Sequence, residues 1–282
     1  MMISLLIESG SSKSDCIIFQ GDKVIDRFET AGLNPTTMDW PIILDIILDI
    51  KQKSRHEVSS IFFYGSGVRF ETKDKLAEGF KKYFEIERIE IFSDLLAAVR
   101  ACTQGAEGIV CILGTGSNSC LSDGHQITHQ KISLGYILGD EGSANDLGKK
   151  LITNYYYNVL KDEIRVKLES QFPNLSSNFI TEFYNSNFKS ALLGQFGKFV
   201  VENKSNPQME DIVYLCLNSF YHRRLSYYSD YADLPIYFVG SVAYHLQEEI
   251  QKVISPYGFQ KILFSKKPID DLLRYHMKHE RN

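Results

Sequence analysis

Short apolar runs bounded by small or turn-forming residues set the rhythm of the chain. Ile3 to Ile7 and Ile109 to Leu113 are each long enough for one buried strand. Each leads into a polar, glycine-bearing turn and then a second strand. In the first case Glu8-Ser9-Gly10-Ser11-Ser12-Lys13 precedes the run Ser14 to Gln20 and the turn Gly21-Asp22. In the second, Gly114-Thr115-Gly116-Ser117 precedes the run through Leu121 and the turn Asp123-Gly124. Lys23 to Thr30 and Gln126 to Lys131 then read as the third strand of each meander. The chain therefore carries one hairpin unit twice, which implies two related lobes.

Between the two copies the period changes. Trp40 to Ser54 has Ile42, Ile43, Ile46, Ile47 and Ile50 at helical spacing. Ser59 to Tyr64 reads as a strand ended by Gly65-Ser66-Gly67, about Thr72 to Tyr83 as a polar helix, and Arg88 to Phe92 as another strand. Alternation of this kind implies parallel strands joined by helical crossovers. Ser93 or Asp94 caps the helix that follows, and Thr103 to Glu107 reads as the hinge between lobes. Beyond the second hairpin, Ile132 to Leu138 leads into Gly139-Asp140-Glu141-Gly142-Ser143-Ala144, and Asn145 to Val159 into a helix. Lys161 to Tyr231 is mostly helical and rich in Phe and Tyr. Leu234 to Val239 returns as a buried strand, Gly240-Ser241 turns it, and Tyr244 to Ile254 is a helix. Lys261 to Ser265 is the last strand, and a terminal helix runs from about Lys267 to His279.

Composition narrows the class without changing this picture. The 282 residues are 44% hydrophobic and 23% charged, room for two globular domains. A net charge of -4 and a pI near 6.0 give no basic field for nucleic acid. No stretch suggests a membrane span or a signal peptide, so a cytoplasmic protein is expected. The 5 cysteines are scattered with no Cys-x-x-Cys pair, Cys16, Cys111 and Cys120 read as small core residues, and the 7 histidines show no metal-like grouping.

Candidate chemistry follows from the turns. The small residues of Gly114-Thr115-Gly116-Ser117 let backbone N–H groups approach an anion, and the first hairpin repeats the design. Gly240-Ser241 joins a strand to a helix, where a nucleotide could come close. Asp94 lies at the C-terminal edge of a sheet, where a carboxylate is well placed to take a proton from a substrate hydroxyl. Asn34, on a loop beyond a strand edge, can donate to and accept from a sugar hydroxyl. Asp140 and Glu141, fenced by glycines, can face a polyol or a hydrated cation.

Taken together, Glu8 to Lys13, Gly32-Leu33-Asn34-Pro35, Asp94 with Ala97-Ala98, Gly114 to Asn118, Gly139 to Ala144 and Gly240-Ser241-Val242 resemble the N-acetylglucosamine kinase branch of the BadF/BadG/BcrA/BcrD ATPase family. That family lies in the sugar kinase, heat-shock chaperone and actin superfamily. The resemblance implies an α/β fold of two ribonuclease-H-like, actin-like ATPase lobes with a central cleft. The first lobe would be residues 1–105, with the helix 268–282 packed on it; the second would be 106–267, with a helical insertion at about 145–231. It implies an ATP-dependent kinase of an amino sugar, N-acetylglucosamine or a close relative, that uses Mg²⁺. Asp94 would be the base. Asn34, Asn118, Leu134, Gly135 and Asp140 would meet the sugar. Gly10, Ser11, Ser12, Lys13, Gly114, Thr115, Gly116, Ser117, Gly240 and Ser241 would meet ATP, and Glu8 the Mg²⁺. A homodimer is compatible with this reading.

Two departures stand out. Serines at 9, 11 and 12 replace two glycines and a threonine of the first loop, and the family's Gly-Trp-Gly reads Ser133-Leu134-Gly135. The sugar, and whether an N-acetyl group is required, stays open. Two other readings share the fold: a catalytically inactive sensor of sugar or nucleotide, and an ATPase activator of a partner enzyme. The sensor does not need Asp94, and the activator needs grouped cysteines for an iron–sulfur cluster.

Overall fold

A computed structural model describes residues 3–10, 13–186, 188–266 and 268–279. Ser11 and Ser12, both expected to meet ATP, lie outside the described residues. The chain divides into two compact units, Met1–Ala106 with Ser122–Ile127 and Lys267–Asn282, and Glu107–Leu121 with Thr128–Lys266.

In the first unit β1 (Ser4–Ser9), β2 (Lys13–Gln20), β3 (Lys23–Ala31), β4 (Ser60–Gly65) and β5 (Arg88–Ser93) form a sheet of order β3-β2-β1-β4-β5. β1 is antiparallel to β2 and parallel to β4, and β4 is parallel to β5. Helix α1 (Trp40–Ser54) links β3 to β4, α2 (Phe70–Tyr83) links β4 to β5, and α3 (Asp94–Thr103) follows β5. Both faces are buried, which is why the central strands read as unbroken apolar runs. Leu5, Ile7, Ile18, Ile61 and Phe63 pack under Ile43 and Ile47 of α1 and Leu76 and Phe80 of α2. Leu6, Ile17, Phe19, Phe62 and Tyr64 face Ala97 and Ala101 of α3 and three residues from near the chain's end, Ile269, Leu272 and Leu273. On that second face the Tyr64 hydroxyl meets His276 Nε2 at 2.9 Å and accepts from Arg100 Nη1 at 2.6 Å.

In the second unit β6 (Gly108–Leu113), β7 (Ser117–Ser122), β8 (Ile127–Gln130), β9 (Ile236–Val239) and β10 (Ile262–Ser265) form a sheet of order β10-β9-β6-β7-β8. Read from its other edge this is the first sheet's order, with β6 in the place of β1. The duplicated hairpin is thus one half of a duplicated fold.

Helices α4 (Gly135–Leu138), α5 (Ala144–Tyr156), α6 (Asp162–Gln171), α7 (Phe179–Asn185), α8 (Lys189–Glu202) and α9 (Pro207–Arg223) fill the span between β8 and β9. α10 (Ser241–His245) and α11 (Gln247–Ile254) follow β9, and α12 (Ile269–His279) ends the described chain. The helix expected over 244–254 is therefore two pieces, with Leu246 at the break in a non-helical conformation. α4 was not foreseen, because four residues are too few for a period to declare itself. α5 stops at Tyr156 rather than Val159, and Asn158 takes a positive φ of 56°. Cys16, Cys111, Cys120 and Cys216 are buried, as small apolar residues are.

Candidate functional site

Each unit assembles its own cluster at its glycine-bearing turns. In the first, the chain after β4 must turn sharply, and Gly67 does so at φ +76°. A Cβ on Gly67 would lie 2.0 Å from Asn34 Oδ1, so only glycine lets the two loops touch. The Asn34 oxygen caps its own turn by accepting from Thr36 N–H at 3.0 Å. Its amide nitrogen donates to nothing among the described residues.

Ser93 is the N-cap of α3, accepting from Leu96 N–H at 3.3 Å. Asp94 is therefore not the cap but the first helical residue. Its two oxygens are held separately: Oδ1 accepts from Leu95 N–H at 2.8 Å, and Oδ2 from the Ser66 hydroxyl at 2.8 Å. Desolvation pushes this carboxyl above the ordinary range, and the two hydrogen bonds oppose that shift. The result is a better proton acceptor than a surface aspartate.

The Gly10 turn closes with Gly10 N–H on Lys13 O at 2.9 Å. The Lys13 ammonium bonds Glu29 at 2.8 Å and Asp15 at 3.1 Å. The Glu29 bond is the main cause of its raised pKa. Glu8 is half-buried on β1, in register with Asp15 on one side and Tyr64 on the other.

In the second unit the turns after β6 and β9 lie side by side, because these strands are parallel with Ile112 opposite Val239. Gly240 has φ +111°, and its Cβ would sit 2.5 Å from Leu113 O. Gly114 has open space around it, with nothing within 4 Å of its Cβ position. Bare backbone beside bare backbone is the kind of cradle a phosphate group needs. The α5 N-terminus, in contrast, is spent on the protein itself. Ala144 N–H donates to Gly114 O at 2.9 Å and Asn145 N–H to Thr115 O at 3.1 Å, which locks the turn. Ser143 caps this helix, and Asp146 reaches back to Gly142 N–H at 3.0 Å.

Asp140 is held at φ +60°, only 6% exposed, with an oxygen 2.7 Å from where a Gly116 Cβ would be. Burial raises its pKa, offset by the Ser117 N–H and by the charges of Arg224 and Lys149. Glu141 instead pairs with Arg224 at 3.7 Å and Arg223 at 3.8 Å. Buried Arg224 also donates to the carbonyls of Lys131 and Ile132. Lys149 donates to those of Tyr136 and Gly139, so two cations staple the loop from 131 to 142. Leu134 lies against Gly139 and is 52% exposed, and Gly135 opens α4 at φ +71°. Asn118 Oδ1 accepts from Ser119 N–H at 2.9 Å and Gln130 at 3.3 Å. Ser241 is exposed.

Ser9 and Ser66 are the residues for which the sequence suggested no role. The signal was there: Gly65-Ser66-Gly67 ends β4 as a serine-and-glycine turn ends β1.

No family model and no curated protein matches the sequence. Solved structures do. The fold is that of the actin-like ATPases: a Streptomyces griseus ROK family glucokinase, solved with glucose and AMPPNP, matches at a TM-score of 0.59 and 14% identity over 99% of this chain and 100% of that one. A Chromobacterium violaceum candidate N-acetylglucosamine kinase matches at 0.74 and 11%, covering 98% and 99%. A Porphyromonas gingivalis candidate N-acetylglucosamine kinase matches at 0.85 with 31% identity, over 99% of this chain and 100% of that one. At that identity across both whole chains, the protein belongs to the N-acetylglucosamine kinase-like family of ATP-dependent sugar kinases.

Proposed function

We propose that the protein transfers the γ-phosphoryl group of ATP to a hydroxyl of an amino sugar, N-acetylglucosamine or a close relative. The observation that carries this is Asp94: a half-buried carboxylate of raised proton affinity, anchored through both oxygens, in a loop cluster with Asn34. In this reading Asp94 accepts the proton of the acceptor hydroxyl as the new bond to phosphorus forms. Asn34 uses its unengaged amide nitrogen to donate to a sugar oxygen. Asn118, Asp140 and the Leu134-Gly135 segment are the further sugar contacts.

The bare turns at Gly114 and Gly240 fit a triphosphate, since any Cβ at 240 would strike backbone. Gly10, Gly114, Thr115, Gly116, Ser117, Gly240 and Ser241 would hold ATP, and Glu8 a Mg²⁺ ion. Magnesium-bound ATP, when present, supplies the phosphoryl group and neutralises its oxygens, so the protein's task is mainly positioning. Aliphatic Leu134 at the tryptophan position leaves the sugar's substituent to experiment.

Coupled ADP release with glucosamine, N-acetylglucosamine, N-acetylmuramic acid and glucose tests the reading. One of the amino sugars should drive ADP release, and Asp94→Asn should lower turnover by about 10²-fold or more while sugar and ATP still bind. ADP release with no sugar of the panel, or full turnover in Asp94→Asn, overturns it.

A further inference from the structure

Four loops of the first unit meet on two serines. Ser9 is fully buried, with 0% exposure, and its hydroxyl is fully engaged. It accepts from Leu33 N–H at 2.8 Å and from the Ser14 hydroxyl at 2.8 Å, and donates to Leu33 O at 3.1 Å. The Ser9 carbonyl accepts from Ser66 N–H at 3.0 Å, and the Ser66 hydroxyl donates to Asp94 Oδ2. The neighbouring Gly67 carbonyl accepts from Thr36 at 2.6 Å, which ties the same loop to the Asn34 turn. A continuous line of hydrogen bonds thus runs from the Gly10 turn, past the backbone beside Asn34, to Asp94.

The geometry at Asp94 shows what this line does. The Leu95 N–H holds only Oδ1, and a carboxylate held at one oxygen by its own helix can still swing about its last torsion. Ser66 comes from a different element and takes the other oxygen. A donor on each oxygen fixes the plane of the group, and preorganisation of this kind matters most where a proton must be received in one direction.

We propose that Ser66 is a positioning residue for this reaction, fixing the plane and hydrogen bonding of the Asp94 carboxylate, and that Ser9 holds Ser66 in register with the Gly10 and Asn34 turns. The inference rests on the reading of Asp94 as the base.

The test uses the full chain with Ser66→Ala, Ser66→Thr and Ser9→Ala. No charged side chain contributes to the Asp94 shift; burial, Ser66 and the backbone N–H groups of Asp94 and Leu95 are its causes. Removing Ser66's donated bond should therefore raise the Asp94 pKa further. The acid limb of kcat/KM should move to higher pH by roughly one unit. At the optimum kcat should fall about 10-fold with KM for both substrates within about 2-fold, and Ser66→Thr should restore both. Ser9→Ala should give the same pH displacement in weaker form.

Carboxyl-carbon NMR of aspartate-labelled protein, with Asp94→Asn to assign the signal, follows the titration of Asp94 without any turnover. An Asp94 titration identical in wild type and Ser66→Ala overturns the proposal whatever the activity. A displaced titration in a protein that phosphorylates no sugar would uphold the Ser66 contact, remove its catalytic meaning, and count against the kinase reading instead. Loss of thermal stability with an unmoved acid limb would leave Ser66 a packing residue and overturn the proposal as well.

Discussion

Gly197→Ala is the substitution whose consequences travel furthest from the place it is made. α5 and α8 cross at backbone contact: a Cβ on Gly197 would lie 2.1 Å from Ala144 O and 2.6 Å from its C and Cα. Relieving this to an ordinary contact needs the helices to part by about 1 Å, and no flexible side-chain tip is available to give way. Overpacking of this kind costs about 1–3 kcal/mol, with backbone obstacles at the upper end, while alanine returns about 1 kcal/mol of helix propensity. A net loss of about 2 kcal/mol corresponds to a fall of roughly 4–8 °C in Tm.

Function should respond too, because the obstructed residue is Ala144, whose N–H holds Gly114 O, followed by Asn145 on Thr115 O. Moving α5 moves the turn proposed to hold ATP, and a shift of this size should raise KM for ATP about 10-fold or more. Differential scanning calorimetry and ADP-release kinetics measure both. A Tm equal to or above wild type with unchanged KM would show that only helix propensity was expressed, and would refute the close-contact argument.

Two further outcomes are expected. Gly240→Ala places a side chain at φ +111° and 2.5 Å from Leu113 O, so affinity for a fluorescent ATP analogue should drop at least 10-fold and stability by about 1–3 kcal/mol; an unaltered titration would remove Gly240 from the nucleotide turn. Arg224→Leu should cost about 2–4 kcal/mol in urea unfolding, since it strands the Lys131 and Ile132 carbonyls and leaves Glu141 with Arg223 alone; an unchanged midpoint would show that the loop does not depend on this staple.

Much of the fold was legible because its signals are local. The buried strands are short apolar runs, α1 carries its isoleucines at helical spacing, and the repeated hairpin announces the repeated sheet. The features that were not legible depend on residues far apart in sequence. Nothing at Gly148 or Gly197 reveals that Leu193 O and Ala144 O will press against them. Ser93 and Asp94 were equal candidates for the cap until the backbone chose Ser93. The pairing of Lys13 with Glu29, which lies opposite Asp15 on β2, is visible only once the register is known. Asp140 was expected to face a polyol, and its place against Gly116 and Ser117 depends on a left-handed backbone that a string of glycines hints at without specifying.

The covering of the first sheet's second face by Ile269, Leu272 and Leu273 bears on how the molecule is made. The ribosome delivers Leu6, Ile17, Phe19 and Phe62 early, but their lid is encoded about 160 residues after the first stretch of that unit ends. At ordinary translation rates this is a wait of roughly 10–30 s, during which that greasy surface has only α3 above it. The second unit, whose core closes within itself, has all its pieces sooner. The half begun first is the half completed last.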